Sequence, residues 1–567
     1  MEAFSAYYLP VLRYIAPLLA AAIFICARYG LLKRPKKEDV LAVLDIQNGS
    51  VRLPITRHEN TIGRSKSCDI VISLPVISRQ HAVLSRTNDG FWQIADTKSK
   101  GGVLVNNKPA GADTKISLGD KITLSELEMK LLPPNVGDME PAKRFKDKKS
   151  NAKKHHPETL SADSQPPRTE VFTAALVVLG IFQILTCLQM FTVINPDYYQ
   201  NLFISFGVII ILPWVYRIFT LIRNIHNISA EITAFFLSTI GICTTASAAP
   251  GDLLKQTAAM VAGVVLFVVI MTVLKNLKFV MKLRMLAAIG SLGLLGLTMV
   301  LGTAFNGQRN WIDFGFITIQ PSEFVKILFV FSGSATLEWL LTTKNLALLT
   351  IYSSACIGLL FLMGDFGTAL IFFVAFLVLI FMTSGDIRMI ILSCLAAVMG
   401  AVMIISYKPY ILGRFSTWMN VWSDAYGAGY QQTRTLMAIA SGGMLGLGGG
   451  NGFLRFVTAS DTDMVFGIVC EEWGLLIGLI VIGCFVVFMR SAIRSHRSAY
   501  SSFYVIAACT AGSIFLFQAT LNIFGSTDIL PFTGVTLPFI SNGGTSIMAS
   551  WGLLSFISAS TNYLRPR

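Results

Sequence analysis

Residues 441–474 read SGGMLGLGGGNGFLRFVTASDTDMVFGIVCEEWG, a glycine-rich loop that runs directly into a long apolar segment. Asp463 lies where the loop ends, and Glu471 and Glu472 lie inside the apolar segment. Ionisable side chains at membrane depth are costly and usually face a protein interior or a water-filled cavity, which makes them candidates for function. The stretch therefore predicts a membrane protein with a functional site at the lip of a span.

The composition of the whole chain agrees with this prediction. Of 567 residues, 53% are hydrophobic and only 14% are charged, whereas about 25% are charged in soluble proteins. Much of the net charge of +14 lies in a linker and in short loops between apolar runs, where basic residues set membrane orientation, so nucleic acid is not indicated as a partner. The nine cysteines include no CxxC pair and no Cys/His cluster, so neither a disulfide framework nor a zinc site is predicted.

The N-terminal segment, residues 1–32, is predicted to be a transmembrane anchor. Its apolar residues precede the basic residues of 28–37, the reverse of the order in a cleavable signal peptide. We therefore expect an uncleaved anchor with the N-terminus outside the cell and the following residues in the cytoplasm.

Residues 40–132 have a different character. Short alternating runs such as SVRLPI and KITLSELEMKLL are separated by turn signals such as NDG and LGD. Strands of this length and spacing predict an all-β sandwich. Its loops carry GRS at 63–65 and SRQH at 78–81, which supply two guanidiniums and hydroxyls, groups suited to binding a phosphate dianion.

On these two motifs, the segment resembles a forkhead-associated (FHA) domain, a module that binds phosphothreonine peptides. The resemblance implies that His81 braces the loop from inside and that a phosphothreonine protein from a Ser/Thr kinase pathway is a partner. The residues predicted to bind the phosphopeptide are Arg64, Ser78, Arg79, Lys100 and Asn106. Lys100-Gly101-Gly102 stands where the family usually has Asn-Gly-Thr. The alternative is a sandwich kept only as a protein-interaction surface.

Residues 133–170 predict a disordered basic linker, because they are rich in Pro, Ser and Lys and lack apolar periodicity. Two roles remain open, contact with anionic lipid and a solvated tether. Beyond the linker, apolar runs predict twelve further spans, two of them in residues 171–229 and ten in residues 230–567. Alternating basic loops place the C-terminus in the cytoplasm, on the same side as the linker. The predicted fold is a polytopic α-helical membrane protein of about thirteen spans with a cytoplasmic all-β head.

The predicted outer loops carry further motifs: GQRNW with QPSEFVK, GDFGTAL, GAGYQ with AIASGGMLGLG, TDMVFGIVCEEWG, and TGVTLPFISNGGTS. In this order they resemble the SEDS family (shape, elongation, division and sporulation), bacterial peptidoglycan glycosyltransferases of the rod-shape and division type. The resemblance covers roughly residues 230–560. Gln308, Asn542 and Thr545 stand where the family usually has alanine, tyrosine and serine.

The resemblance implies an inverting glycosyltransferase of the plasma membrane that polymerises lipid II on the outer face, with Asp463 as general base and a class B penicillin-binding protein as partner. A divalent cation, Mg or Mn, bound by Asp463 and pyrophosphate is a further expectation. From the residues alone, an N-cap of the following helix is the alternative role of Asp463. We expect Asp461 to be a solvated neighbour, and Glu471 and Glu472 to form internal hydrogen bonds that shape the cavity.

The residues predicted to contact the substrate belong to four of these five motif groups, all except GDFGTAL. They are Arg309, Trp311, Glu323, Lys326, Gln431, Ser441, Gly443, Thr462, Glu471, Ser541 and Gly543. Glu323 and Lys326 are three residues apart and are expected to pair on one helix face. Two other functions fit a multispan protein with intramembrane charges, a lipid II flippase and a non-catalytic scaffold that recruits phosphoproteins.

Overall fold

The computed structural model describes residues 2–32, 40–46, 51–55, 59–65, 68–86, 90–97, 99–111, 114–134, 169–223, 225, 227–305, 308–315, 318–337, 343–384, 387–407, 414, 416–495 and 501–562. The predicted linker lies almost entirely outside these ranges. The basic cluster at 33–37, Lys408 and the arginines of the C-terminus also lie outside the described residues.

The predicted β-sandwich is confirmed. Its strands are β1 (Ala42–Ile46), β2 (Val51–Ile55), β3 (Glu59–Gly63), β4 (Ile70–Val71), β5 (Ala82–Arg86), β6 (Trp92–Asp96), β7 (Val103–Val105), β8 (Lys108–Pro109), β9 (Thr114–Ile116), β10 (Lys121–Leu124) and β11 (Leu127–Leu132). One sheet has the order β2-β1-β11-β10-β7-β8 and the other β4-β3-β5-β6-β9. In β11 the alternate residues Leu127, Met129 and Leu131 are buried, as the period of a strand requires.

The rest of the described chain is mostly helical. The helices are α1 (Glu2–Leu32), α2 (Thr169–Val193), α3 (Tyr199–Ile222), α4 (Ser229–Ala248), α5 (Leu253–Leu274), α6 (Leu277–Leu301), α7 (Pro321–Leu337), α8 (Thr343–Met363), α9 (Phe366–Ser384), α10 (Ile387–Tyr407), α11 (Tyr430–Gly442), α12 (Val465–Ser495), α13 (Ser502–Ser526) and α14 (Gly544–Asn562). A small sheet of β12 (Thr303–Phe305), β13 (Gln308–Asp313) and β14 (Thr318–Ile319) occupies the loop between α6 and α7.

Every predicted span corresponds to one of these helices, and α11 is the short helix between α10 and α12. Within the described ranges, nine helices are long and apolar enough to cross a membrane: α1 to α6, α8, α12 and α13. The protein is therefore a multi-pass membrane protein, and the count of thirteen spans stays a prediction.

Helix α4 lies at the centre of the bundle. It has the lowest mean hydropathy of the nine candidate spans, 1.2, yet every residue of its most apolar stretch is buried inside the protein. Its sequence is rich in Ala, Gly, Ser and Thr, which let neighbouring helices approach closely. Helices α1, α2 and α3 pack against it, and α5, α12 and α14 also contact it. The three helices that precede α4 in the chain are therefore an integral part of the packed bundle.

The predicted span after Asp463 is one element with a break in it. Gly474 has φ 85° and ψ 163°, so α12 consists of residues 465–473 and 475–495 on either side of a non-helical residue. A positive φ of this kind is readily adopted only by glycine. The break exposes backbone groups that a continuous helix would pair, and the glycine-rich loop, residues 442–452, packs against it.

Candidate active site and phosphopeptide site

Asp463 lies two residues before α12, in a turn that begins at Ala459. Its backbone N–H donates to Ala459 O at 3.0 Å. Within the described part of the chain, its carboxylate accepts no backbone hydrogen bond from the first turn of α12, which is the bond that defines an N-cap. The side chain is half-buried. The geometry therefore does not support the capping role, and the carboxylate is available to another molecule.

The backbone around Asp463 is fixed by a polar side chain inside α13. Asn522 Nδ2 donates to Asp463 O at 3.0 Å and to Val535 O at 2.7 Å, which ties the Asp463 turn to the loop between α13 and α14. In that loop Gly534 has φ 68°, and a Cβ built on it would lie 3.3 Å from Asp463 Oδ2. A glycine at this position therefore leaves the carboxylate uncovered.

The same loop holds the two residues before Asp463. Ser541 Oγ donates to Thr462 O at 2.6 Å. Asn542 donates twice to Asp461, through its N–H to the carbonyl at 2.9 Å and through Nδ2 to Oδ2 at 2.8 Å. The expectation that Asp461 is a solvated neighbour is therefore wrong, because its carboxylate anchors the α13–α14 loop. Ser541 braces this backbone, and its contact with substrate stays a prediction.

Arg414 brings a positive charge to this site. Its Nη1 donates to Phe532 O at 2.9 Å, two residues from Gly534. Burial raises the pKa of Asp463 to about 6, against the opposing effects of a hydrogen bond from the Thr462 side chain and the charge of Arg414. A carboxyl group with this pKa is mostly ionised at neutral pH and still able to accept a proton, as a general base must.

The other described basic residues between 407 and 463 are engaged elsewhere. The Arg434 guanidinium lies 5.7 Å and 5.1 Å from the ring centroids of Tyr426 and Tyr430. The Arg455 guanidinium lies 4.8 Å from the Phe456 ring. Both are cation–π contacts. Among the described basic residues between 407 and 463, Arg414 is therefore the one whose charge acts on Asp463.

A buried ion pair connects α7 to the α13–α14 loop. Lys326 Nζ lies 2.8 Å from Glu323 Oε1, and both residues are almost fully buried, which confirms the predicted pairing. Lys326 also donates to Gln518 Oε1 at 2.9 Å, and Gln518 Nε2 donates to Thr536 O at 2.9 Å. The pair therefore supports the loop that lies over Asp463.

Sequence reasoning missed Gln518 and Asn522. Both are amides inside the apolar sequence of α13, four residues apart and hence on one face of the helix. Buried polar side chains need partners, and those inside a span are costly. This signal was present in the sequence and could have identified them.

The glycine-rich loop pairs with the break in α12. Leu447 N–H donates to Glu471 O at 2.8 Å, and Gly448 N–H donates to Glu472 O at 2.9 Å. These carbonyls have lost their intrahelical partners because Gly474 interrupts the helix. The loop and the broken span are therefore one hydrogen-bonded unit, which explains why so many glycines precede Asp463.

The two glutamates of this span have internal partners. The carboxylate of Glu471 accepts from the backbone N–H groups of Phe453 and Leu454, both at 2.9 Å. The Ser247 hydroxyl donates to Glu472 Oε1. Both carboxylates hold the chain around the glycine-rich loop, as expected for residues that shape a cavity. Direct contact of Glu471 with substrate stays a prediction.

The remaining predicted substrate residues fall into two groups. Those on α11 and at its C-terminal end have partners within the protein: Gln431 donates to Thr458 O at 3.1 Å, Ser441 bonds within its helix, and Gly443 O accepts from Leu475 N–H at 2.9 Å. Gly543 immediately precedes α14. Their contact with substrate stays a prediction.

Arg309 and Trp311 form the second group. Both lie on β13, which packs against α6, α7 and α8. No hydrogen bond or ion pair among the described residues joins either side chain to Asp463. Contact of Arg309 and Trp311 with substrate stays a prediction.

In the sandwich, His81 braces the predicted phosphopeptide loops. It is fully buried, its Nδ1 accepts from Ser78 N–H at 3.1 Å, and its Nε2 lies 3.0 Å from Gly102 O. Ser78 Oγ in turn accepts from Lys100 N–H at 3.0 Å. One buried ring therefore connects the SRQH loop to the Lys100-Gly101-Gly102 loop.

The cationic residues of this surface are exposed, while Asn106 is engaged. The side chains of Arg64 and Arg79 are exposed, and β3 places Arg64 directly beside the SRQH loop through a bond from its N–H to Ser78 O at 2.9 Å. Asn106 donates to Asp120 Oδ1 at 2.9 Å and accepts from Lys121 N–H at 3.0 Å. Asn106 thus closes a turn in this structure, and its contact with a peptide stays a prediction.

The donor set for a cation is small. The described residues include no group of three or more His, Cys, Asp and Glu side chains that could hold a metal ion. Asp461 is engaged by Asn542, so Asp463 offers one carboxylate. Magnesium is commonly bound by one or two carboxylates together with substrate phosphates, so this donor fits only a cation that arrives with a phosphorylated ligand.

The protein is a multi-pass membrane protein with a ligand-binding head. Its core has a broken span preceded by a carboxylate that caps no helix, and its head is a β-sandwich with exposed arginines on its loops. The cell cycle protein family FtsW/RodA/SpoVE matches residues 235–563, and the FHA domain matches residues 60–125. Because the first match covers more than half of the sequence, this chain belongs to the FtsW/RodA/SpoVE family and carries an FHA domain.

The most similar relatives include two named probable peptidoglycan glycosyltransferase FtsW. The protein from Tolumonas auensis is 33% identical over 271 residues, which is 46% of this chain and 71% of that protein. The one from Coxiella burnetii is 32% identical over 269 residues, 45% of this chain and 71% of that protein. A solved chain described as "Structural coordination of polymerization and crosslinking by a peptidoglycan synthase complex" matches with a TM-score of 0.50 and 23% identity, over 58% of this chain and 96% of that one, and so supports the fold.

Proposed function

We propose that this protein is a peptidoglycan glycosyltransferase that polymerises lipid II, with Asp463 as its general base. Membership of the FtsW/RodA/SpoVE family and the names of the FtsW relatives support the reaction class. The observation that carries the role of Asp463 is its uncapped carboxylate, half-buried at the start of α12 beside Arg414. Lipid II is the substrate class that such a family implies.

In the proposed reaction, Asp463 accepts the proton that is released and Arg414 offsets the charge of the leaving group. Asp463 takes the proton of the acceptor 4-hydroxyl as that oxygen attacks the anomeric carbon of the growing glycan. The new glycosidic bond forms from the face opposite the leaving group, and the bond from the anomeric carbon to undecaprenyl pyrophosphate breaks with its electron pair. Configuration is inverted at this carbon. Arg414 lies where a positive charge would offset the charge of the pyrophosphate.

A divalent cation, Mg or Mn, is part of this proposal as a group that would enter with the pyrophosphate. Its chemistry would be to neutralise the leaving group. Asp463 is the residue that would supply a protein oxygen to it. The other residues of the site position the turn, since Asn522, Ser541 and Asn542 hold its backbone.

The membrane orientation belongs to the same proposal. With the basic loops in the cytoplasm, the FHA domain and the C-terminus are cytoplasmic, the N-terminus is outside, and Asp463 faces outward. The FHA domain then provides phosphothreonine-dependent regulation from the cytoplasm, through exposed Arg64 and Arg79. A class B penicillin-binding protein is the proposed partner outside, since the solved peptidoglycan synthase complex combines polymerisation with crosslinking.

The deciding experiment is lipid II polymerisation by the purified full chain with and without the transpeptidase partner. We expect Asp463→Asn to lower the rate by about 10²- to 10⁴-fold, the usual contribution of a general base. Asp461→Asn is the matched control, because the amide keeps an oxygen to accept from Asn542, and it should change the rate only a few-fold.

Three results would contradict the proposal. Unchanged polymerisation by Asp463→Asn removes the assignment of the base. Translocation of labelled lipid II between leaflets without polymer supports the flippase alternative. Neither activity, together with capture of phosphoproteins, supports the scaffold alternative.

A further inference from the structure

Helix α2 lies outside the family match, which begins at residue 235. It nevertheless contacts the glycine-rich loop that pairs with the break in α12. It is the first described element after the linker from the FHA domain. Its buried residues recur at helical spacing and form one stripe along its length: Phe172, Ala175, Leu176, Leu179, Phe182, Gln183, Thr186, Gln189 and Met190. This stripe is what the core packs against.

The C-terminal end of the stripe contacts the glycine-rich loop directly. Gln189 is 2% exposed, and its Nε2 donates to Gly449 O at 3.3 Å. The Met190 methyl group occupies the space that a side chain at Gly449 would need. Val193 does the same at Gly450, where a Cβ would lie 2.8 Å from Val193 Cγ1. Three residues of α2 therefore fix two consecutive glycines.

Those glycines are adjacent to the backbone that closes the helix break. Gly448 N–H donates to Glu472 O, and a Cβ on Gly449 would lie 2.6 Å from Trp473 Cζ2. Phe182, about two turns of α2 before Gln189 and Met190, packs on the same Trp473 ring with centroids 6.4 Å apart. Helix α2 therefore contacts both the glycine-rich loop and the last residue of the half-helix 465–473.

We propose that Gln189, Met190 and Val193 are positioning residues for the reaction, acting through the glycine-rich loop and the half-helix 465–473 that ends at Gly474 and begins beside Asp463. At about 1.5 Å per residue, the half-helix spans about 13 Å. A short rigid rod of this kind passes a displacement at its held end to the carboxylate at its other end. The proposal rests on the proposed function for its effect on rate, while its structural part stands on the contacts of α2 alone.

The test compares variants of the full chain in lipid nanodiscs. Gln189→Ala, Met190→Ala and Val193→Ala each remove one contact with the glycine-rich loop. Met190→Leu is the conservative variant, because it keeps most of the apolar volume. Gln183→Ala is the matched control: Gln183 is equally buried on the same face of α2, but it donates to Ile209 O and Thr239 Oγ1 and does not contact the loop.

The first readout is hydrogen–deuterium exchange, which needs no activity. We expect at least threefold faster exchange of the amides of residues 446–450 in the three alanine variants, and wild-type exchange there in Met190→Leu and Gln183→Ala. Equal acceleration in Gln183→Ala, or none in the three alanine variants, would overturn the proposal. The three separate variants keep the test decisive where one of them fails to fold.

The second readout is the split between kcat and KM in lipid II polymerisation. We expect a displaced base to lower kcat several-fold in the three alanine variants and to leave KM unchanged. If these variants only lost folded protein, the control Gln183→Ala would lose as much activity as they do. Rescue of kcat in Met190→Leu completes the expected pattern. If the wild-type chain makes no polymer, the proposed function fails, and the exchange readout still decides whether α2 positions the loop.

Discussion

The sandwich head and the membrane core both present charged groups to a ligand, but they hold them in opposite ways. In the head, Arg64 and Arg79 are exposed on loops, and the buried side chain of His81 lies behind them as a brace. In the core, Asp463 is itself half-buried, and its neighbours Asn522 and Ser541 bind its backbone turn.

The difference follows from the solvent around each site. An exposed guanidinium stays hydrated and needs only a loop to orient it, so the head can bind a phosphopeptide with little reorganisation of its core. A carboxyl at the edge of an apolar bundle is partly desolvated, which raises its pKa and adapts it to proton transfer. Binding chemistry suits the head and acid–base chemistry suits the core.

The sharpest way to test this comparison is to break one ion pair in each region. Lys326 and Glu323 are almost fully buried in the core, whereas Lys121 and Glu128, 2.5 Å apart in the head, are 37% and 52% exposed. We expect Lys326→Met to lower the free energy of unfolding by about 3–5 kcal/mol, because it leaves Glu323 as an uncompensated buried charge. Lys121→Met should cost about 0–1 kcal/mol.

Pulse proteolysis of the full chain in urea measures both changes. Equal losses in the two regions would contradict the claim that the core, and not the head, depends on desolvated charge. The double variant Glu323→Gln with Lys326→Met should recover part of the loss, since it removes the stranded charge.

The second prediction concerns the exposed groups of the head. Arg64→Ala and Ser78→Ala should each weaken binding of a phosphothreonine peptide by about 10- to 100-fold, because a hydrogen bond to a charged group is worth about 1.5–3 kcal/mol. Fluorescence anisotropy with the full chain measures this. Arg86→Ala is the control, since Arg86 packs on Trp92 at 5.7 Å on the same sandwich. Equal binding of phosphorylated and unphosphorylated peptide would show that the head is only a protein-interaction surface.

The smallest effect is the pH dependence of the core. Burial raises the pKa of Asp463 to about 6, and a general base works in its ionised form. The polymerisation rate should therefore be nearly constant above this pKa and fall roughly tenfold from about pH 7 to about pH 5 as the carboxyl becomes protonated.

A variant sharpens this prediction. The charge of Arg414 lowers the pKa of Asp463, so Arg414→Gln should move the midpoint of the pH–rate profile upward. Arg434→Gln is the matched control, because Arg434 stacks on Tyr430. A profile with no inflection between about pH 5 and 7, or an identical shift in the control, would contradict the role of Asp463 as the titrating base.

Much of the fold is determined by local sequence. Alternating residues separated by turn signals predict the sandwich, and apolar runs bounded by basic loops predict the helices, because strand and helix periods are properties of neighbouring residues. The motifs GRS, SRQH and TDMVF also point directly to residues for which we predict a function, Arg64, Arg79 and Asp463. The buried pair of Glu323 and Lys326 was predictable for the same reason, since its partners are one helical turn apart.

Only the tertiary structure shows which distant residues meet. Asp461 could not be separated from a solvated carboxylate by its sequence, because its partner Asn542 lies 81 residues away. Likewise, the sequence does not show that the glycine-rich loop pairs with the break at Gly474, or that Gln189, 260 residues before Gly449, donates a hydrogen bond to it. A hydrogen bond needs only proximity and direction, neither of which depends on sequence separation. The sequence therefore determined that a carboxylate stands at the start of a span, and the packing of α2, α12 and α13 determined what holds it there.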